Sequence, residues 1–323
     1  MKIAVVGTGG VGGYFGGLLA RAGQDVHFIA RGAHLEAIRA SGLQVRSSSG
    51  DFAVNPARAT DRPAEVGPTD VVLFCVKTWD TETAARGVGP LLGRDTAVIS
   101  FQNGVDNEDI LASVLGGEHV LGGVAHVTSS IVEPGVIEQT SAAARVAFGE
   151  LDGKRTPRVE AFYRAARTAG VDAEISDDIQ KEIWNKWVFI CAMAGVCSVS
   201  RASLGQVLAT VETRDLFVDC MHEVAAVGRS RGVRFDSDVI ERQLGRAEAL
   251  GPAARPSMLH DLERGGRLEL DSLNGAVVRL GVEQGVQTPI NRFITAALRP
   301  HALGQNQAVI RSATSNSSAL GIG

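Results

Sequence analysis

The N-terminal glycines are the first residues whose spacing suits a specific chemistry. Gly7, Thr8, Gly9, Gly10, Val11 and Gly12 form a G-x-G-x-x-G sequence after the apolar run 2–6, and an apolar-faced segment follows to residue 22. Its glycines allow a tight turn, close approach of the backbone to a pyrophosphate, and close helix–strand packing. The helix N-terminus adds N–H groups and partial positive charge for phosphates. Residues 7–12 are therefore predicted to bind a dinucleotide.

Arg31 indicates which dinucleotide binds. A second predicted strand, 25–29, is followed by Ala30, Arg31 and Gly32. In NAD sites an Asp or Glu about 20 residues after the glycines hydrogen-bonds the ribose 2′-hydroxyl, and no acid closes this strand. A guanidinium can instead pair with a 2′-phosphate, so the sequence favours NADP(H). The alternative is that Arg31 is a solvated loop residue.

Polar residues also follow two later strands of the first half. Lys77 and Thr78 follow the run 70–76, and Gln102, Asn103 and Gly104 follow the run 96–100. Ligands of open α/β sheets bind outside the carboxyl ends of the strands, so these side chains are predicted to face the cofactor. The alternative is turn chemistry, since Asn-Gly is a common turn dipeptide.

Lys186 is a candidate proton donor because it lies between Trp184 and Trp187. Apolar surroundings disfavour the ammonium and lower the pKa of a lysine toward working pH, as a general acid requires. The alternative is a lysine stem that lies along the rings with its ammonium in water. Ser257 and Glu269 are the further polar candidates in this half of the chain.

Alternating strands and helices must position these residues. Near-continuous apolar runs are typical of parallel strands covered on both faces, and their alternation with amphipathic helices predicts a doubly wound α/β sheet. Short β-rich stretches over 119–149 predict antiparallel additions to the sheet edge. Apolar positions at three- and four-residue spacing then predict helices over 177–196, 211–231, 271–284 and 288–299.

The change of pattern near 170–176 predicts the domain organisation. We expect a dinucleotide-binding domain over 1–175, an all-helical substrate domain over 176–303 and a flexible tail over 304–323. The tail contains a polar, low-complexity run at 311–318.

Composition argues against several functional classes. A net charge of −4 without a basic run does not indicate binding to nucleic acid or to an anionic membrane surface. No apolar stretch approaches the roughly 20 residues that span a bilayer, and the start is unlike a signal peptide. Four cysteines show neither a C-x-x-C pair nor metal spacing with the seven histidines. We therefore expect thiols, no metal and a cytoplasmic location.

Taken together, these residues resemble the ketopantoate reductase family, 2-dehydropantoate 2-reductases that use NADPH. The resemblance covers roughly residues 1–300. It implies an N-terminal Rossmann domain, a helical C-terminal domain like that of 6-phosphogluconate dehydrogenase, and an active site in the cleft between them. The shared motifs, in family order, are G-x-G-x-x-G, the second-strand arginine, V-K-T, Q-N-G, W-x-K, S-M-L-x-D at 257–261 and E-x-D at 269–271.

The resemblance also implies roles for individual residues. Lys186 becomes the general acid, and Glu269 orders the cofactor ribose and the lysine. Lys77 and Asn103 lie near the nicotinamide and the substrate, and Ser257 binds the substrate carboxylate. The cofactor set further includes Gln102 and Ala125. A small 2-oxoacid substrate, a role in pantothenate biosynthesis and a homodimer through the helical domain complete the expectation.

Three positions depart from the family pattern. Members commonly carry asparagines four and eight residues after the catalytic lysine, where this chain has Ile190 and Ala194, and Leu204 replaces a further asparagine. A substrate hydroxyl buried against isoleucine loses a hydrogen bond that is worth about 1–3 kcal/mol. Phe189, Ile190, Met193 and Ala194 form a wall that fits a less polar 2-oxo compound, so the expected substrate is ketopantoate or a less polar related keto compound.

Two other functions remain open. Lys181 and Asn185 share a helix face at i,i+4 spacing, as a lysine and an asparagine do in β-hydroxyacid dehydrogenases. The W-x-K motif instead selects Lys186, about 140° around the helix from Lys181. The second alternative is a non-catalytic NADPH-binding regulator. The chain argues against it by retaining Lys186, Ser257 and Glu269.

Overall fold

The computed structural model describes residues 1–141 and 144–305. The chain divides into two compact units, one over Met1–Ile183 and one that begins at Trp184. The domain boundary expected after residue 175 stays a prediction. Of the expected tail, residues 306–323, including the polar run 311–318, lie outside the described residues.

Two sheets and five α-helices, together with the start of a sixth, form most of the described part of the first unit. An eight-stranded sheet has the order β12-β11-β8-β7-β6-β1-β2-β5, and a four-stranded sheet has the order β4-β3-β10-β9. The strands are β1 (Lys2–Val6), β2 (Asp25–Ile29), β3 (Leu43–Ser47), β4 (Phe52–Val54), β5 (Arg58–Thr60), β6 (Thr69–Phe74), β7 (Leu92–Ser100), β8 (Val120–His126), β9 (Ser129–Glu133), β10 (Val136–Gln139), β11 (Arg145–Glu150) and β12 (Asp172–Ile175). The helices are α1 (Gly10–Arg21), α2 (Gly32–Ser41), α3 (Thr81–Gly87), α4 (Asn107–Leu115) and α5 (Pro157–Thr168).

Both faces of the large sheet are buried. Ile3 and Val5 of β1 belong to one hydrophobic cluster, and Ala4 and Val6 belong to the cluster on the opposite face. Successive residues of a strand point to opposite faces, so a strand covered on both sides must be apolar throughout. This confirms the doubly wound α/β sheet predicted from the apolar runs.

The parallel core of this sheet determines where the candidate residues lie. β1 pairs in parallel with β2 and with β6, β6 with β7, and β7 with β8. Five neighbouring strands therefore end at one edge. The segments at or just after those ends carry the glycine loop, Arg31, Lys77, Asn103 and Ala125.

The prediction for residues 119–149 was wrong in part. β8 joins the large sheet in parallel with β7, and only its pairing with β11 is antiparallel. β9 and β10 belong to the separate four-stranded sheet, in which β10 pairs in parallel with β3. Local alternation identifies a strand but contains no information about a partner distant in sequence.

The second unit is helical in its described part, as predicted. α6 (Ile179–Ser200) starts in the first unit and carries the chain into the second. The following helices are α7 (Leu204–Ala209), α8 (Val211–Ser230), α9 (Val239–Ala249), α10 (Ser257–Glu263), α11 (Asn274–Gln284) and α12 (Pro289–Leu298). The spacing had not predicted α7, α9 and α10.

α6 corrects one expectation about apolar length. Its 22 residues are long and apolar enough, by length and composition alone, to cross a membrane. Within its most apolar window, however, 72% is buried inside the protein. That burial is typical of a core helix, whose apolar residues are covered by neighbouring helices.

Candidate active site

Three glycines of the first loop are required by the protein's own packing. Gly7 has a φ of +91°, a region that L side chains rarely adopt, and a Cβ there would lie 2.6 Å from the backbone nitrogen of Val76. A Cβ at Gly10 would overlap the carbonyl of Ser129, and one at Gly12 would overlap the carbonyl oxygen of Gly7. These glycines permit close packing of α1 against the sheets.

Gly9 is different. It is the N-cap residue of α1, with an ordinary extended backbone (φ −85°, ψ −159°), and apart from its two chain neighbours no residue has an atom within 4 Å of a Cβ built on it. Neither backbone strain nor packing therefore requires a glycine at this position. The open space at a helix N-terminus fits a pyrophosphate, whose oxygens would accept hydrogen bonds from the exposed N–H groups.

The glycine loop is tied to the end of β2. The backbone N–H groups of Gly7 and Thr8 both donate to the carbonyl oxygen of Ile29, at 3.2 Å. The hydroxyl of Thr8, which is buried, donates to the same oxygen at 3.1 Å. These three bonds hold the residues after β2, including Arg31, beside the loop.

An acid lies against Arg31. Nη2 of Arg31 donates to Oδ2 of Asp80 at 2.9 Å. Asp80 ends the short turn Thr78–Asp80 that follows β6, and its N–H donates to the carbonyl of Lys77 at 2.8 Å. No acid closes β2 itself, as the sequence indicated, but an acid from a distant part of the chain lies beside Arg31. Asp80 is 49 residues further along the chain, and the placement of β2 and β6 on either side of β1 brings the two together.

Gln102 connects the loops after β6 and β7. Its amide nitrogen donates to the carbonyl of Val76 and to the hydroxyl of Thr81, both at 2.8 Å. The side chain is buried, with 9% of its surface exposed, and it fixes the segment that carries Lys77. Its own contact with a cofactor stays a prediction.

The other candidates of the first unit lie around this segment. Lys77 is exposed, and its ammonium lies 5.6 Å from the centre of the Trp79 ring. Asn103 is half-buried, and its carbonyl accepts a hydrogen bond from the amide of Asn107 at 3.1 Å. Ala125 is buried in β8. The structure brings these residues to one sheet edge, and their assignment to cofactor or substrate stays a prediction.

Lys186 has the environment that its flanking tryptophans predict. Trp184 and Trp187 are buried in edge-to-face contact, with ring centres 5.0 Å apart. The Trp187 indole donates to the carbonyl of Ser272 at 3.3 Å, which fixes the ring. Although Lys186 keeps some exposed surface, desolvation of its ammonium lowers its pKa from 10.5 to about 8.

Two charged residues act on Lys186 from elsewhere in the second unit. Arg246 lowers the pKa of Lys186 further, and Glu269 acts in the opposite direction. Glu269 is buried, with 7% of its surface exposed. The guanidinium of Arg246 lies 5.3 Å from the centre of the Phe189 ring, which is on the same helix as Lys186. Sequence analysis missed Arg246 because α9 was not predicted and its partners lie on another helix.

Two family models match the chain over most of its length. "Ketopantoate reductase PanE/ApbA" matches residues 3–153, and "Ketopantoate reductase PanE/ApbA C terminal" matches residues 178–302. The chain belongs to the ketopantoate reductase family.

Related proteins and a solved structure are similar to this chain over nearly its whole length. A 2-dehydropantoate 2-reductase of Mesorhizobium japonicum is 33% identical over 320 residues, covering 93% of this chain and 97% of that protein. An uncharacterized oxidoreductase of Bacillus subtilis, YkpB, is 32% identical over 93% of this chain and 98% of that protein. The crystal structure of a PanE/ApbA family ketopantoate reductase from Ralstonia eutropha JMP134 has 35% sequence identity and a TM-score of 0.86, covering 94% and 98% of the two chains.

The remaining residues that the resemblance to ketopantoate reductases selected lie in the second unit. Ser257 is exposed at the first position of α10. Ile190 is half-buried, whereas Ala194 exposes only 1% of its surface. Leu204 is buried at the start of α7, directly after Ser203, which caps that helix. Of the three substituted positions, Ile190 therefore has the most surface available to a ligand.

Lys181, on which the β-hydroxyacid dehydrogenase alternative rests, lies in the first unit, and Asn185 lies in the second. The backbone N–H of Lys181 donates to the Asp178 carboxylate at 3.1 Å.

No metal-binding group of three His, Cys, Asp or Glu side chains occurs within residues 1–141 and 144–305. The four cysteines are free thiols, and burial raises the pKa of Cys75 to about 12.

We predict that Gly9→Ala affects cofactor binding whereas Gly12→Ala affects stability. Gly9→Ala places a methyl group in the open space at the helix N-terminus, so it should weaken dinucleotide binding by about tenfold with little change in Tm. Gly12→Ala should destabilise the fold by about 1–3 kcal/mol, as overpacking usually does. Fluorescence titration with NADPH and thermal unfolding measure both effects. Equal cofactor affinity in Gly9→Ala and wild type would contradict a pyrophosphate at this position.

Proposed function

We propose that this chain catalyses the NADPH-dependent reduction of a 2-oxoacid to a 2-hydroxyacid. The substrate would be ketopantoate or a less polar related keto compound. The observation that carries the proposal is the desolvated ammonium of Lys186, which lies under the influence of one buried acid, Glu269, and one further cation, Arg246. This arrangement combines a proton donor with an excess of positive charge that suits a carboxylate.

Lys186 would supply the proton of the reaction. When bound, a nicotinamide cofactor would supply a hydride to the keto carbon, and negative charge would then develop on the keto oxygen. The ammonium of Lys186 stabilises this oxygen as charge builds on it and then transfers a proton to it. A pKa of about 8 keeps the lysine mostly protonated at neutral pH while making it a stronger acid than an ordinary lysine.

Glu269 and Arg246 would have complementary roles around this donor. The carboxylate of Glu269 favours the charged form of Lys186 and so keeps the proton available. The guanidinium of Arg246, held over the Phe189 ring, can pair with the substrate carboxylate in charge-assisted fashion. Ser257 would donate a further hydrogen bond to that carboxylate.

The first unit would bind the cofactor. The space at Gly9 suits the pyrophosphate, and Arg31 suits a 2′-phosphate, so NADPH is the proposed cofactor. Lys77, Gln102, Asn103 and Ala125 would line its nicotinamide half. We further propose a cytoplasmic enzyme that needs no metal and binds no nucleic acid or membrane. A homodimer through the helical domain is part of the proposal, as is a role in pantothenate biosynthesis if ketopantoate is the substrate.

We expect Lys186→Ala to lower kcat by about 10²-fold or more, because loss of a positioned proton donor has effects of that size. NADPH affinity should stay nearly unchanged. Lys181→Ala is the matched control, since it removes a lysine from the same helix and should have little effect. Steady-state oxidation of NADPH with a panel of 2-oxoacids measures both. If the two variants exchange these behaviours, the Lys181–Asn185 alternative is correct. Tight NADPH binding without turnover of any ketone would instead indicate a regulator.

Substrate preference should follow Ile190. Because this side chain offers no hydrogen bond, we expect a higher kcat/KM for a branched or aromatic 2-oxoacid than for ketopantoate. An apolar pocket rejects an added hydroxyl by only about 10²-fold, so some ketopantoate turnover should persist. Ile190→Asn should shift the ratio of kcat/KM values toward ketopantoate, and Ile190→Val should leave it unchanged. A hundredfold preference of the wild type for ketopantoate would contradict this expectation.

A further inference from the structure

The contact between Arg31 and Asp80 would affect the choice between NADPH and NADH. We propose that Asp80 sets this choice: its carboxylate weakens NADPH binding and supports NADH, so that the enzyme accepts both. This inference rests on the proposed function, because it takes the ribose 2′ position to lie at Arg31. It goes further in assigning a selectivity role to a residue outside the glycine loop and β2.

The first step of the argument is the charge at Arg31. The guanidinium donates to the Asp80 carboxylate at 2.9 Å, so one of its donors is engaged and a negative charge lies beside it. The Arg31 side chain is 76% exposed and that of Asp80 is 35% exposed. A phosphate that reaches this guanidinium must displace the carboxylate or remain beside it.

The second step is the repulsion between two anions. A 2′-phosphate carries more than one negative charge near neutral pH, and Asp80 adds another within contact distance of the same arginine. Like charges at such distances repel even in water, and the repulsion is reduced by salt. Asp80 should therefore weaken NADPH binding, and more strongly at low ionic strength.

The third step concerns the ribose of NADH. Its 2′-hydroxyl is a hydrogen-bond donor, and in NAD sites a carboxylate at the end of the second strand accepts this bond. β2 does not end in such an acid, but Asp80 brings a carboxylate to Arg31, the second residue after β2. The same side chain that repels a 2′-phosphate can thus accept from a 2′-hydroxyl.

Asp80→Asn tests the proposal with little disturbance of the fold. Asparagine keeps the shape and an acceptor oxygen but removes the charge. The Asp80 side chain makes no capping hydrogen bond to α3, and Asn and Asp are equally favourable at an N-cap. Glu82→Gln is the matched control, because Glu82 is an exposed acid of α3 that pairs with Arg86, and its removal changes the net charge equally.

We expect Asp80→Asn to lower the Kd for NADPH by about three- to tenfold at low salt and to raise the Kd for NADH, because an amide oxygen is a weaker acceptor than a carboxylate. The effect on NADPH should decrease at high salt. Glu82→Gln should leave the ratio of the two Kd values unchanged. Fluorescence titration of the full chain with NADPH and with NADH measures these values. An unchanged ratio in Asp80→Asn would overturn the proposal. A shift toward NADH would also overturn it, since Asp80 would then orient Arg31 for the phosphate.

Arg31→Ala separates this inference from the proposed function. If Arg31 meets the 2′-phosphate, its removal should raise the Kd for NADPH by about tenfold and change that for NADH little. With that result, an Asp80→Asn ratio equal to that of the wild type defeats the inference alone. Equal effects of Arg31→Ala on both cofactors would defeat the proposed NADPH site, and the assignment of Asp80 with it.

Discussion

The desolvation of the Lys186 ammonium is the interaction on which the proposed chemistry depends. An ammonium is costly to remove from water, and here two buried tryptophans flank it in sequence. The cost appears as a pKa lowered to about 8, to which Arg246 contributes and which Glu269 opposes. A lysine on a solvated helix face would hold its proton too tightly to transfer it efficiently near neutral pH. In the proposed reaction, the residues around Lys186 therefore act by controlling the solvation and charge of one nitrogen.

The glycine loop of the first unit depends on a different constraint, the close approach of one main-chain segment to another. Gly7, Gly10 and Gly12 are needed because a side chain would overlap neighbouring main-chain atoms. Gly9 has open space instead, and that difference separates the glycines that build the loop from the one that fits a ligand. Arg31 is likewise held by a neighbouring acid of the protein, with which the 2′-phosphate of the proposed cofactor would have to compete.

Features encoded locally could be predicted from the sequence. The parallel strands were identifiable because burial on both faces leaves an uninterrupted apolar run, and the desolvation of Lys186 followed from its adjacent tryptophans. Features that depend on distant pairing could not be predicted. The four-stranded sheet depends on the pairing of β10 with β3, which are distant in sequence. Asp80 lies beside Arg31 only because of the order of the strands in the sheet. Arg246 lies over the Phe189 ring from α9, a helix that the sequence did not predict. The family pattern identified Ile190 and Ala194 together, but burial distinguishes them.

The most direct test of the account is the pH dependence of kcat/KM for 2-oxoacid reduction, measured in the wild type, Arg246→Ala and Glu269→Gln. A general acid must be protonated, so activity should be present below the pKa of Lys186 and fall as pH rises through about 8. Without the Arg246 cation the falling limb should move to higher pH, and without the Glu269 carboxylate it should move to lower pH. A wild-type limb near the ordinary lysine value of about 10.4, unmoved in both variants, would contradict a desolvated Lys186 as the proton donor.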